Sequence, residues 1–436
     1  MPGPARCPVC GDTVPAPFFT LAGVPVHANI AQPTRLAALA APRADVELGL
    51  CRTCGHISNL VFDAATVAYG PGYENSLHHS ARFDDYVRGL AARLVARYAL
   101  ERKNVLEIGC GRGEFLEILC AEGGNFGVGL DTVYDGPDRR TGEARGRPYE
   151  VLFVRDLFSE AYADCEADIV CCRHVLEHVA EPLPFLAAVR RAVTRRPGAV
   201  AFFEVPNAAA MLRGACLWDA IYEHRSYFAL PSLRRLFVEA GLEPLRLYTS
   251  FDDQFLCIEA AAGPGRPGRN GNGAAAGPGL PGDIFADGAD GGDGGGGRSN
   301  GARPGAAPDD EHAVADLAVL ARSFAAGSAR QVDLWRDRVE RLLDAGRRVV
   351  AWGAGSKGVT FLNLVGAAGR IDCIVDQNPR KHGLFVPGTG QRIIPPEALL
   401  HVRPDAVLLM NRVYEEEVRG RLRGLSPAWD VEVVSV

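Results

Sequence analysis

The sequence predicts an α/β protein: two doubly wound lobes behind a small N-terminal domain stapled through cysteines. Three observations predict it. Apolar strand-like runs alternate with amphipathic helical runs on both sides of a segment rich in Gly, Pro, Ala and Asp, from about Ala261 to Asp310. Each of the two parts has a glycine-rich loop where a strand should pass into a helix. Two Cys-x-x-Cys pairs come before the first lobe. Strands alternating with helices are the pattern of a parallel sheet covered on both faces.

In chain order, Val105-Leu-Glu-Ile108 reads as a strand, Gly113 to Cys120 as a helix and Gly127-Val-Gly-Leu130 as a second strand. Asp168-Ile-Val-Cys171 and Ala199 to Phe203 are further buried strands, and Pro231 to Ala240 carries apolar residues at helical spacing. After the glycine-rich segment the grammar returns. A helix around Val332–Ala345 leads to the strand Arg348–Trp352, then a glycine turn, the helix Val359–Leu364, and the strands Ile371–Val375 and Asp405–Leu409. The glycine-rich run has too few large apolar residues to offset the entropy of ordering, so it reads as a disordered linker. The predicted divisions are a zinc-binding domain at 1–68, a central domain at 69–260, the linker at 261–312 and a C-terminal domain at 313–436.

At 436 residues the chain exceeds one ordinary core, and its 47% hydrophobic and 23% charged residues are those of a globular protein. A net charge of −6 supplies no basic field for a nucleic-acid backbone. Neither a leader peptide nor an apolar run of membrane-spanning length is evident, so a cytoplasmic location without membrane attachment is expected. In that reducing compartment the 12 cysteines read as metal ligands or buried small side chains before disulfides.

Cys7-Pro-Val-Cys10 and Cys51-Arg-Thr-Cys54 are each followed by glycine. One such turn presents two thiolates, and a pair completes a closed tetrahedral zinc site with no open position, hence a structural one. Four unrelated buried cysteines, or a redox pair, are the competing readings.

Glu107-Ile-Gly109-Cys-Gly111-Arg-Gly113 lets the backbone turn sharply and approach a ligand at a helix N-terminus. Asp131, ending the next strand, sits at the separation where an acid meets a ribose diol. The acid before the first glycine, and a third glycine two residues after the second, depart from the dinucleotide fingerprint. S-adenosylmethionine lacks a pyrophosphate and needs an acceptor for its ammonium group, so this loop favours that cofactor over NAD. A glycine turn without a ligand is the bland reading. Asp156 closes the third strand, where it can meet the adenine amino group, and His174 follows the fourth strand beneath the methionine portion. His174-Val-Leu-Glu177-His178 also spells an inverted zinc-protease motif. Its place directly after a sheet strand argues against that chemistry, and His178 reads as a packed histidine.

With the knuckles, the Glu107–Gly113 loop and the phrase Ile221-Tyr-Glu-His-Arg-Ser-Tyr-Phe228, the chain resembles the bacterial sugar C-methyltransferases. Gly353-Ala-Gly355-Ser-Lys-Gly358, Val375-Asp376-Gln-Asn-Pro379 and Pro387-Gly-Thr-Gly390 look like that family's last domain. The resemblance implies a zinc-binding domain, an S-adenosylmethionine domain and a Rossmann-like C-terminal lobe acting on nucleotide-linked 4-keto-deoxysugars. Carbon beside a ketone becomes nucleophilic only when a base removes its proton, and histidine is the natural base. His224 is the candidate, with Tyr222 and Glu223 beside it to orient the imidazole or polarise the keto oxygen. The family phrase usually reads Tyr-His-Glu-His; aligned on the Glu-His pair, Tyr222 falls where histidine is normal. A cap for the following helix is the structural reading of His224. Tyr73, Glu74, His78 and His79 lie in a segment that the family folds over its active site.

The second glycine loop, read alone, is a fair dinucleotide fingerprint, with Asp376 ending the next strand. The resemblance instead implies a lobe without cofactor, where Ser356, Lys357 and a helix N-terminus can serve a diphosphate. The expected partner is therefore a small molecule such as a nucleotide sugar. O- or N-methylation of a small metabolite and NAD-dependent oxidation stand as alternatives; a zinc-knuckle RNA-binding protein is disfavoured by the acidic balance.

Overall fold

The structure is a computed structural model that describes residues 5–67, 69–70, 72–263, 308–366 and 369–436. The strands are β1 (Phe19–Pro25), β2 (Arg43–Leu50), β3 (Ile57–Asn59), β4 (Asn104–Ile108), β5 (Phe126–Leu130), β6 (Arg139–Ala144), β7 (Arg147–Val154), β8 (Ile169–Arg173), β9 (Val200–Pro206) and β10 (Ser226–Tyr227). β11 (Leu242–Ser250) and β12 (Phe255–Ala262) follow, then β13 (Val349–Trp352), β14 (Cys373–Val375), β15 (Arg392–Ile394), β16 (Ala406–Leu409) and β17 (Glu432–Ser435).

They form three sheets. The largest runs β11-β12-β9-β8-β4-β5-β7-β6. Its middle, from β9 to β7, is parallel, and all five residues of β4 and of β8 are buried, as a sheet covered on both faces requires. The helix Ala81–Tyr98 covers one face with Phe83, Val87, Leu90 and Leu94, spaced one and two turns apart, and Ser80 caps its start. Helices Pro182–Thr194 and Leu230–Glu239 bury Leu186, Leu233, Leu236 and Phe237 against the other. The margins of the sheet are antiparallel. β12 is antiparallel to β9, and β6 is antiparallel to β7. The β6–β7 hairpin turns at Arg145 and Gly146, both at positive φ, the backbone of a two-residue primed turn.

The C-terminal sheet, β15-β14-β13-β16-β17, is parallel throughout. The helix expected around Val332–Ala345 is the last part of a 37-residue helix, Pro308–Asp344. Residues 264–307, most of the predicted linker, lie outside the described residues. β12 continues to Ala262 and the long helix starts at Pro308, so regular structure reaches a few residues into that segment from each side.

The N-terminal sheet, β1-β2-β3-β10, is antiparallel, and its fourth strand comes from far along the chain: Ser226 pairs with Ser58 and Tyr227 with Ile57. Packing joins the parts. One core combines Val46 and Leu48 of the N-terminal sheet with Trp218, Trp335 and Phe361, and Trp218 and Trp335 meet edge to face. Among the described residues no helix is long and apolar enough to cross a membrane.

Candidate active site

The two cysteine knuckles are built alike. Gly11 and Gly55, at φ +77° and +72°, let each chain double back so that their amides donate to the Cys7 and Cys51 carbonyls at 2.9 Å. The Cys7 and Cys54 sulfurs are 3.6 Å apart, Cys10 and Cys51 3.5 Å, and all four thiols lie within 4.8 Å of one another.

β4 delivers Glu107 to the first glycine loop with 3% of its surface exposed and Oε2 without a hydrogen-bond partner. Burial, only partly opposed by Arg173, pushes its carboxyl up to about 8. Gly109 and Gly113 have φ of +69° and +79°, and a Cβ there would stand 2.2 Å from Val175 and 2.3 Å from the Phe153 ring. Asp131, after β5, accepts from the Gly111 amide at 2.8 Å and the Val133 amide at 2.9 Å. Its burial raises its pKa. Asp156, after β7, is exposed and accepts from the Tyr162 hydroxyl at 2.8 Å.

A cavity of about 1010 Å³ lies between the large sheet and the C-terminal sheet. His174, Glu177, His178 and His224 line it, and so do Ser356, Lys357, Asp376 and Lys381. His174 leaves β8 at φ +54°, an uncommon conformation for a non-glycine residue. Its ring sits 3.1 Å from Glu204 and 3.7 Å from Glu177, in ion-pair contact. Burial opposes its charge, but the two carboxylates outweigh burial and lift its pKa to about 9. Glu177 is 2% exposed; burial works against its charge, yet the hydrogen bond from His174 prevails and its pKa is lowered. Burial, then the neighbouring His178, holds His224 down at about 3, so its imidazole is neutral. Donor atoms of Glu177, His178 and His224 all fall within 4.8 Å of one another.

The predicted companions of His224 are engaged elsewhere. The Tyr222 hydroxyl accepts from the Asp63 amide at 3.0 Å and its ring stacks on Phe62. The Glu223 carboxylate is wholly buried and accepts from the Ala28 amide at 2.9 Å, with His27 3.8 Å away. Both side chains tie the loop to the N-terminal domain, because an apolar ring and a buried acid find partners there. What lies beside His224 is Glu177 and His178, both from the His174-Val-Leu-Glu-His178 motif. His178 is fixed by the Tyr69 hydroxyl at 2.7 Å and the Glu223 carbonyl at 3.0 Å from Nδ1.

The segment with Tyr73, Glu74 and Ser76 is joined to both lobes, largely through ions. Glu74 lies 3.1 Å from both Arg112, inside the first glycine loop, and Arg380 of the C-terminal lobe; Asp135 pairs with the same two arginines. Ser76 donates to Glu114 at 2.9 Å, and Tyr73 and Ser76 line the cavity. The second glycine loop receives Asp376, whose carboxylate accepts from the Ala354 amide at 2.7 Å. Lys357 pairs with Asp219 at 2.9 Å, and Lys381 donates to the Ala354 carbonyl at 3.2 Å.

Residues 83–247 match the family described as methyltransferase domain, and residues 308–434 the C-methyltransferase C-terminal domain. The ubiquinone biosynthesis O-methyltransferase of Methylococcus capsulatus is 32% identical over 115 residues, 26% of this chain and 47% of that protein. Its counterpart in Hahella chejuensis is 34% identical over 125 residues, 26% of this chain and 46% of that one. The chain thus spans about half the length of these curated relatives. Among solved structures, 1,6-didemethyltoxoflavin-N1-methyltransferase of Burkholderia thailandensis with bound S-adenosylhomocysteine is 18% identical, covering 43% of this chain and 83% of that one at a TM-score of 0.30. Residues 83–247, on the eight-stranded sheet, are thus a methyltransferase domain of the class I, S-adenosylmethionine-dependent fold.

Proposed function

We propose that the enzyme methylates a carbon beside the carbonyl of a small molecule, a nucleotide-linked keto-deoxysugar being the substrate class. The observation that carries this reading is the neutral His224 imidazole, clustered with the Glu177 carboxylate in the cavity that Ser356 and Lys357 also line.

The first glycine loop suits S-adenosylmethionine. The buried, half-unpartnered Glu107 carboxyl is an acceptor for an ammonium group, and Gly109, Gly111 and Gly113 keep the backbone clear of side chains. In this reading Asp131, which accepts from two backbone amides, also meets a ribose diol, Asp156 accepts from an adenine amino group, and His174 serves the methionine end. When bound, that cofactor supplies an electrophilic methyl group. His224 takes the proton from the substrate carbon. The Glu177 carboxylate steadies the resulting imidazolium, the part first assigned to Glu223. His178, pinned through Nδ1, keeps the two in register. Lys357 and Ser356, at the start of the helix Ser356–Val365, receive the diphosphate.

Zinc belongs to the same proposal. Zinc–sulfur bonds of about 2.3 Å give a tetrahedron with sulfurs roughly 3.8 Å apart, close to the 3.6 Å from Cys7 to Cys54 and the 3.5 Å from Cys10 to Cys51, across the two knuckles. Cys7, Cys10, Cys51 and Cys54 would hold it in a structural role. The division at 1–68, 69–260 and 313–436 is proposed with it, with β10 added to the first sheet.

Incubation of the keto-sugar with enzyme in deuterium oxide, without methyl donor, tests the reading. The α-hydrogen should exchange, and His224→Gln should slow exchange and methylation by ~10²–10⁴-fold. Oxygen methylation is the second reading, because the curated relatives named above are O-methyltransferases. Methyl transfer that survives in His224→Gln, with no exchange in the parent, would establish it instead.

A further inference from the structure

The cluster of Glu177, His178 and His224 has a composition that proton transfer alone does not demand. Its three donor atoms sit within 4.8 Å of one another on the cavity wall. Glu177, at 2% exposure, leaves Oε2 without a hydrogen-bond partner. Buried carboxylate oxygens normally find a donor or a cation. The Glu223 carbonyl and the Tyr69 hydroxyl, 3.0 and 2.7 Å from Nδ1 of His178, hold that edge of the ring. A histidine whose far nitrogen is held by a carbonyl is the arrangement found behind metal-bound imidazoles. The His224 ring meets the rings of His178 at 4.9 Å and Tyr227 at 5.5 Å.

We propose that Glu177, His178 and His224 form a site for one divalent cation of the zinc, cobalt or nickel class, separate from the four-cysteine cluster. Two imidazoles and one carboxylate suit these ions, whereas magnesium and calcium prefer oxygen alone. The remaining positions of the ion face the cavity. His174, whose Nδ1 lies 3.7 Å from Glu177, flanks the cluster. Such an ion occupies the His224 lone pair, so it competes with any substrate that must be deprotonated there. The site itself does not depend on that role.

Cobalt(II) titration of the full chain as purified, its thiolate site filled, tests this. One added equivalent should bring visible d–d absorption without sulfur-to-cobalt charge transfer. His224→Ala and Glu177→Gln should each abolish it, while Tyr69→Phe, which strips only an outer partner of His178, should weaken it roughly ten- to hundredfold. Copper(II) bound to the parent should show two imidazole nitrogens in its paramagnetic resonance spectrum, a readout that needs no variant. Absence of the d–d bands, a charge-transfer band alone, or an added equivalent that survives both ligand substitutions overturns the site.

Discussion

The two glycine loops of this chain are close to superimposable in their hydrogen bonds and opposite in their charge. In the first, Gly109 donates to the carbonyl of Leu130 and Asp131 accepts from Gly111; in the second, Gly353 donates to Val375 and Asp376 accepts from Ala354. Two residues before the first glycine, however, the first lobe has buried Glu107 and the second has Ala351. Beyond the last glycines the first lobe has Glu114, while the second loop contains Lys357. On the proposed reading one backbone device is tuned by a few side chains, toward a cationic amino group in one lobe and toward an anion in the other. The fold sets where a ligand sits, and the charged side chains set which ligand it is.

The largest effect expected from this contrast is steric. Gly109→Ala combines a left-handed backbone costing about 1–2 kcal/mol with overpacking of about 1–3 kcal/mol against Val175. Gly355→Ala, at negative φ with nothing near its Cβ, should stay within about 0.5 kcal/mol. Chemical denaturation of both variants checks the pair, and equal losses would erase the distinction.

Next comes charge. Glu107→Gln should weaken S-adenosylhomocysteine by roughly 10- to 100-fold, the worth of a charge-assisted hydrogen bond, and leave inorganic diphosphate binding alone. Lys357→Ala should do the reverse, by calorimetry on the same two ligands.

A smaller effect is protonic. Glu107 has a folded pKa of about 8, above its ordinary value of 4.5, so in the free protein its carboxyl is protonated near neutrality. Homocysteine-ligand affinity should rise with pH up to about 8 and then level off, whereas diphosphate binding should lack this rise. Stability runs the other way. The raised carboxyl of Glu107 contributes stability fully below about pH 4.5 that is lost as pH climbs through 8. His174, raised from 6.5 to about 9, contributes fully below 6.5 and loses its share through 9. Thermal melting should therefore decline from pH 6.5 to 9, less steeply in Glu107→Gln.

The smallest effect concerns the ion ring of Glu74, Arg112, Asp135 and Arg380, half of it exposed. Arg380→Ala should cost no more than about 1 kcal/mol, and salt should shrink the difference.

What was legible in the sequence was whatever depends on neighbours along the chain. The knuckles and both glycine loops announce themselves because a tight turn needs specific residues at fixed spacing. The β6–β7 hairpin was not legible: β6 is polar and nowhere fully buried, and Arg145-Gly146 is not one of the strong turn pairs. The first two-thirds of the long helix were lost because Ala-rich sequence there runs on from the glycine-rich segment. Side-chain direction was illegible at Tyr222 and Glu223, where partners 159 and 195 residues away decide it. Glu177 left one signal, the His-x-x-Glu-His spacing, which only the fold could place beside His224.

The pairing of Ser226–Tyr227 with Ile57–Ser58 seats the His224 loop on the knuckle sheet as a bracket sits on a footing. If His224 is the base proposed above, the sulfur cluster thereby bears on chemistry it never touches. Loosening the first sixty residues would shift an imidazole whose own lobe remained folded, and turnover would fall while cofactor affinity held.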